Sequence, residues 1–438
     1  MKSKQKYPKP RRQAALRACL SGTIAVASTS ILTMPIHAQD AARVDKVERE
    51  NQELKQRLDA LEAMAKKEGI VPSGQAPKMV SALSDISLSG FVQASYFYNT
   101  KEPADQKSDG YLWNTTHNSF SINKVKVTLA SKPVERSGEK FDAGFRTSLI
   151  WGEDAPVLNT GNPIGGLEEL REAYVEMNVP LGEGLNVKAG QLISLLNWES
   201  GDGGAVNPNF SQGYQWFYTG NGPSAGVQLG YTFTEWLDVK VRVQNGLYAG
   251  PIDGNHGKTV VGSIGIKPNS KTWFNLLGWG GDESSTLSVK GGSLLAGHDF
   301  TDQFHTGLEF DYFNFDPDGA PSGDLWSIGA WIWYDFTPKV SLALRGEYLD
   351  DEKGLGIKGI GLPGSSRSNP SGNVNSAIGL GSPDPDGDLS SITLTLTLKP
   401  LPNIRIQPEI RYDHTSYAGG LDGKKDRFLI GAGVSYLF

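Results

Sequence analysis

Among its 438 residues the chain has a single cysteine, Cys19, so a disulfide framework is excluded and any fold must be held by backbone pairing and packing. The histidines His117, His256, His298, His305 and His414 are scattered without ligand spacing. No nucleophile elbow, phosphate loop or zinc motif occurs, and neither a metal nor a cofactor is expected. One stretch, "DPDGD" at Asp384, alternates carboxylates as calcium loops do, but Leu389 stands where an EF-hand needs glycine, and it reads as a proline-rich turn. An uninterrupted transmembrane helix is missing too. The most apolar run near the N-terminus, "ACLSGTIAVASTSILTMPIHA", is broken by Ser, Thr, Gly and Pro35.

That run follows "MKSKQKYPKPRRQAALR", which holds seven Lys and Arg and no acid. A basic segment, an apolar segment and Ala38 at a cut site predict a secretory leader over residues 1–38. Its removal takes the formal net charge from −6 to −13 and takes Cys19 with it. So acidic a mature chain argues against a nucleic-acid partner.

Residues 39–68 carry a different period. In "VDKVERENQELKQRLDALEAMA", Val44, Val47, Asn51, Leu54, Leu58, Leu61 and Ala65 fall at alternating spacings of three and four. Arg43 with Glu48, Glu50 with Lys55 and Arg57 with Glu62 are opposite in sign at the separation used between parallel strands of a coiled coil. A self-associating coil is expected, with Asn51 fixing register; a single amphipathic helix lying on the protein is the alternative. Residues 69–85, beginning "GIVPSGQAPK", read as a linker.

From Ile86 to Phe438 the period becomes two. "LDVKVRVQNG" at Leu237, "SITLTLTLKP" at Ser391 and "NIRIQPEIRYD" at Asn403 each set apolar residues against polar ones. About 16 such segments are expected, an even number as transmembrane barrels require. Connections after even-numbered segments are short, as in "PLGEG" at Pro180, "TEW" at Thr234 and "PLP" at Pro400; most after odd-numbered ones are long. Outer-membrane barrels sort their loops this way. Trp151, Trp236, Trp273, Trp279, Trp326, Trp333, Tyr334, Phe336, Tyr436 and Phe438, near segment ends, are expected to form aromatic girdles at the membrane interfaces. The final segment, "RFLIGAGVSYLF", is uninterruptedly apolar on one face, as a strand that closes a barrel against lipid would be. The expected fold is thus all-β: a transmembrane antiparallel up-and-down barrel of about 16 strands, preceded by a short helical coil.

Three stretches, "SGFVQASYFYN" at Ser89, "LREAYVEMNVPLGEGLNVKAGQ" at Leu170 and "YTFTEWLDVKVRVQNGLYAGPIDGN" at Tyr231, resemble the OmpL-like β-barrel porin family. The resemblance covers most of residues 86–350 and implies an outer-membrane barrel and solute passage. The terminal Phe, with Tyr two residues before it, resembles the signature read by the barrel assembly machinery. The coil at Val44 is similar to the N-terminal periplasmic coils of some trimeric sugar porins, which implies a homotrimer.

If apolar faces meet lipid and lipopolysaccharide, the alternate faces line water. Arg146, Lys240, Arg242, Glu309, Asp311, Arg345, Glu347, Arg405, Glu409 and Arg411 are then the expected pore lining. Its arginines would form an anion-attracting wall, unless the charges merely pair and stiffen the barrel. The third long loop, from Asn197 to Pro223, offers Asn207, Asn209, Tyr214, Trp216 and Tyr218 for a constriction that stacks on a sugar-like solute. The expectation is a non-enzymatic porin passing small hydrophilic solutes, anions or sugars among them. Its rivals are an outer-membrane hydrolase acting on lipid and a structural barrel anchoring the membrane to the cell wall.

Overall fold

A computed structural model describes residues 85–438 apart from 111–112, 159–168, 221, 248–252, 254, 355–385 and 418–419. The expected leader, the coil positions from Val44 to Leu61 and the linker before Asp85 lie outside the described residues.

Sixteen strands follow one another: β1 (Ile86–Asn99), β2 (Ser119–Ser131), β3 (Asp142–Trp151), β4 (Leu170–Val179), β5 (Leu185–Leu192), β6 (Ser224–Thr234), β7 (Leu237–Gln244) and β8 (Thr259–Asn269). The second half comprises β9 (Thr272–Ser284), β10 (Leu287–Asp299), β11 (Phe304–Pro317), β12 (Gly323–Thr337), β13 (Val340–Asp351), β14 (Gly387–Leu398), β15 (Ile404–Thr415) and β16 (Asp426–Leu437). Each pairs antiparallel with its sequence neighbours, and β1 pairs with β16, so the sheet is a closed barrel. Closure extends past the last strand: Gly90 and Phe438 exchange backbone hydrogen bonds of 2.8 and 2.9 Å. Each of the sixteen described strands is therefore flanked by a partner on both sides, and none is an edge strand.

Alternation then fixes two faces. On β16, Phe428, Ile430, Val434, Tyr436 and Phe438 are exposed on the outside, while Arg427, Leu429 and Ser435 are buried inside. Outward aromatics gather at two levels. Tyr96 meets Phe120, Trp326 meets Tyr348 and Tyr412 meets Phe428 at the end of the barrel carrying the long loops. At the other end Tyr231 meets Phe233, Phe300 meets Phe304 and Tyr334 meets Phe336. These are the two girdles of a membrane-spanning barrel.

Three expected girdle members point the other way. Trp279 is buried inside against Phe313, their ring centroids 4.7 Å apart; Trp273 packs beside the same interior cluster; Trp333 faces inward onto His305 and Trp198. The cause is a lumen that is apolar on one side: Val261, Leu277, Val289, Phe315, Leu325 and Leu349 are all buried there. Both faces of β9 are apolar, so period two alone does not tell lipid from interior.

The connections depart from parity in three places. The turn end carries one longer connection, residues 132–141 between β2 and β3, and the loop end carries two short ones, 285–286 and 318–322.

An arginine at the lipid-facing Val434 is expected to destabilise the barrel by about 2–4 kcal/mol, and one at the rim position Phe438 by about 0–1 kcal/mol. Denaturant unfolding of protein reconstituted in vesicles measures both.

Candidate functional site: a loop bound inside the barrel

Between β5 and β6, residues 193–220 leave the loop end and enter the lumen. Short helical turns shape them, a 3-10 turn at Gly203–Ala205 and a helix at Tyr214–Tyr218; a first helix, α1 (Ala155–Leu158), lies in the preceding loop, which makes this one α2. A segment taken away from water and from strand partners leaves amides and carbonyls that need other partners. Wall side chains supply them. The backbone N–H groups of Trp198, Phe210 and Gln215 donate to Glu309, Glu409 and Glu347 at 2.9, 2.9 and 3.0 Å, and that of Ser211 also donates to Glu409. The carbonyls of Ser211, Gln212 and Asn207 accept from Arg345, Arg411 and Arg405 at 2.6, 2.9 and 2.9 Å, and that of Pro208 from Gln407 at 3.3 Å. The wall thus holds the loop as a receptor holds an extended peptide, through charge-assisted hydrogen bonds.

Side chains add a second layer. Glu199 of the loop pairs with Arg345 at 2.7 Å, and Arg345 also pairs with Glu347 at 3.2 Å, all three buried. Asp413 stands between Arg411 and Arg427 at 2.5 and 2.9 Å, and the Tyr214 ring lies 4.4 Å from the Arg411 guanidinium. On β2, Lys126 pairs with Asp202 at 2.8 Å and Lys124 donates to Gln212 at 3.1 Å. Gln215 donates to Asp311 and Ser327 at 2.8 and 3.0 Å.

The wall is also recessed where the loop lands. A methyl group added at Gly307, Gly329 or Gly433 would collide with the Trp198 indole, the Gln215 amide or the Phe210 ring. Trp198 then stacks on Trp331 with centroids 4.5 Å apart.

Of the residues singled out from sequence, Glu309, Asp311, Arg345, Glu347, Arg405, Glu409 and Arg411 surround this loop. Arg146 and Lys240 stand apart on the β3–β7 wall, and Arg242, on the same wall, meets the loop at its first residue, Ile193. There Arg146 pairs with Glu172 at 2.7 Å and Lys240 with Asp238 at 2.5 Å. Arg242 is held by neutral acceptors: Gln228 Oε1 at 2.8 Å, Gln244 Oε1 at 3.4 Å and the Ile193 carbonyl at 2.8 Å. Within the loop, Asn207 bonds back to Ser200, Asn209 donates to Thr395 at 2.7 Å, and the Tyr218 hydroxyl donates to Gly110 at 2.6 Å. Trp216 is half-buried, edge-on to Trp113. Sequence reasoning missed Glu199, Asp202, Gln212 and Gln215 on the loop and Lys124, Lys126, Gln407, Asp413 and Arg427 on the wall. For the wall members the one signal was phase, an inward position on β2, β15 or β16; the loop members carried none.

Among the described residues no group of three His, Cys, Asp or Glu is placed to hold a metal. With this geometry in place, the comparisons decide the family. The family described as "Putative beta-barrel porin-2, OmpL-like" matches residues 85–438. The chain belongs to that family. It is an outer-membrane β-barrel porin, and the long loops are its external ones. Solved porin-like barrels share the fold at low identity. The anion-selective porin from Comamonas acidovorans is 12% identical with a TM-score of 0.51, covering 81% of this chain and 99% of its own. The trimer form of OmpT from Vibrio cholerae is 10% identical with a TM-score of 0.51 and the same coverage. No curated protein matches the chain in sequence.

Replacing Arg345 by alanine leaves Glu199 and Glu347 buried without their cation, so a loss of about 3–5 kcal/mol is expected in denaturant unfolding. Protease sites within residues 193–223 should open in the same variant. A second expectation concerns the external rim, where the Asp109 N–H donates to Asp422 at 2.8 Å. Burial, and then the Asp422 charge, push the Asp109 carboxyl up to about 6. A raised acid favours the folded state while protonated, so this contribution is full below the ordinary value of 3.8 and fades as pH rises through about 6. Amide protection around Asp109, taken relative to intrinsic exchange at each pH, should therefore rise from pH 7 to pH 5, and Asp109→Asn should flatten that dependence.

Proposed function

We propose that this porin passes small hydrophilic solutes, anions in preference to cations, along the side of the lumen that the third loop leaves uncovered. The observation that carries this reading is the uneven grip of the loop. Most of its anchors lie on β1–β2 and β10–β16, while on the β3–β7 side the Arg146, Lys188 and Lys240 side chains, 39%, 24% and 27% exposed, keep water access beside the buried Glu172, Gln228 and Arg242. Glu176, Lys188, Gln228 and Arg242 are successive register partners, forming one polar row across β4, β5, β6 and β7.

Anion preference would come from cations that lack a carboxylate partner. Arg146, Arg345 and Arg411 each pair with one. Among the described residues neither Arg242 nor Arg405 has a carboxylate at ion-pair distance, so their charge is not cancelled locally. A water-filled lumen between low-dielectric walls focuses such a field. The remaining loop aromatics are engaged with protein, which turns the reading from sugars toward small anions. Self-association as a trimer fits the trimer form of the similar barrel and the heptads ahead of the barrel, and lipopolysaccharide is the expected neighbour outside.

A plugged structural barrel is the second reading, favoured by the density of contacts between loop and wall. Planar-bilayer recordings separate the two: defined open steps are expected, and folded protein that leaves the bilayer silent overturns the porin reading. In a salt gradient, replacing Arg242 and Arg405 together by glutamine should lower the anion-to-cation permeability ratio by roughly twofold or more. An unchanged reversal potential would remove both from the selectivity of the pore.

A further inference from the structure

The long connection at the turn end does not hang into the periplasm. Residues 132–141 fold back against inward-facing positions of the neighbouring strands. Asn178 is inward by the alternation that starts at Glu172, and it is fully buried; its Nδ2 donates to the carbonyls of both Ser137 and Lys140 at 2.8 Å. Arg136 crosses beneath β4 and β5 to donate to Thr232 at 3.0 Å, and Thr232 shares the inward phase of Gln228 on β6. Gly138 lies against the β4–β5 turn so closely that an added methyl would run into the Gly182 carbonyl. That turn is itself tied to β6, where the Glu183 N–H donates to the Tyr231 hydroxyl at 3.0 Å. Three anchors, at Asn178, Gly182 and Thr232, thus set the connection across the ends of β4, β5 and β6.

This is the stretch of wall that the third loop leaves uncovered. A solute moving along it toward the periplasm has to pass the connection. Arg136 is exposed and donates to a neutral hydroxyl, so its charge is open to such a solute. Glu135 and Lys140, beside it, pair at 2.6 Å and largely cancel.

We propose that residues 132–141 form a second, periplasmic constriction in series with the third loop, and that Arg136 sets its preference for anions. The proposal rests on the porin reading above and deepens it. It is tested on the full chain with Cys19→Ser and Arg136→Cys, so that one thiol remains. Single channels already open in a planar bilayer are treated from the periplasmic side with a sulfonate-bearing or a trimethylammonium-bearing methanethiosulfonate. Reading one folded channel before and after reaction removes folding as a confounder. The sulfonate is expected to lower the anion-to-cation permeability ratio by roughly twofold, and the trimethylammonium to raise it. Lys271→Cys, in the β8–β9 turn, should respond to neither reagent. If labelled Arg136→Cys channels behave as labelled Lys271→Cys channels do, the constriction is overturned while the porin stands. If the unsubstituted protein is silent, both readings fall together.

Discussion

Everything inside this barrel depends on wall carboxylates and guanidiniums taking up the backbone of the third loop. Neither partner belongs in a lumen by itself. An unpaired buried amide or carbonyl costs about 1–3 kcal/mol, and an uncompensated buried ion several. Brought together, the amides of Trp198, Phe210, Ser211 and Gln215 meet Glu309, Glu347 and Glu409, and the carbonyls of Asn207, Ser211 and Gln212 meet Arg345, Arg405 and Arg411. Arg345 closes the arrangement by lying between a loop carboxylate, Glu199, and a wall carboxylate, Glu347. The stabilisation is therefore mutual, and most of the charge on β11–β15 is structural.

The barrel was legible in the sequence because lipid on one face and a polar interior on the other impose period two on most strands. Leu394 and Thr395, or Ile410 and Arg411, differ in a way that no buried sandwich strand requires, and both pairs fall on the faces their phase predicts. The loop parity was legible for the same reason, since only one end of the barrel faces outward. What phase does not carry is depth. It places Glu309, Glu347 and Glu409 inside but says nothing of whether water or a loop stands opposite them. It also fails where both faces are apolar, as at Trp273, Phe274, Leu276, Leu277 and Trp279 on β9. The candidate site was thus readable as a set of inward charges and unreadable as a set of partners, because those partners come from a segment with no period.

Glycine explains how a wall with side chains admits a loop with large ones. Gly307, Gly329 and Gly433 stand on β11, β12 and β16, each at an inward position where alternation calls for a side chain, and each recess is filled by Trp198, Gln215 or Phe210. Glycine within a strand costs roughly 0.5–1 kcal/mol relative to alanine, so three recesses matched to three loop side chains make sense as one fitted surface. The opposite wall, from β3 to β7, has among its described residues no glycine recess filled by the loop in this way, and there Lys188 and Lys240 keep part of their surface in water while Gln228 and Arg242 are buried. One side of the lumen is thus packed as a core, and the proposed passage runs along the other.

That division also sorts the cations. A guanidinium paired with a carboxylate at 2.5–3 Å is a dipole, and its field falls away within a few ångströms in a screened medium. Arg345, Arg411 and Arg427 are of this kind, so they fix the loop without attracting a distant anion. Arg242 is different. Its partners, Gln228, Gln244 and the Ile193 carbonyl, bring lone pairs and no net charge, so they orient the guanidinium while leaving its monopole intact. Holding a cation with neutral acceptors is costly when burial is deep, and the cost makes physical sense where the uncancelled charge faces a route for solutes. On the proposed path, selectivity would come from the few cations whose partners are neutral and whose charge no carboxylate cancels.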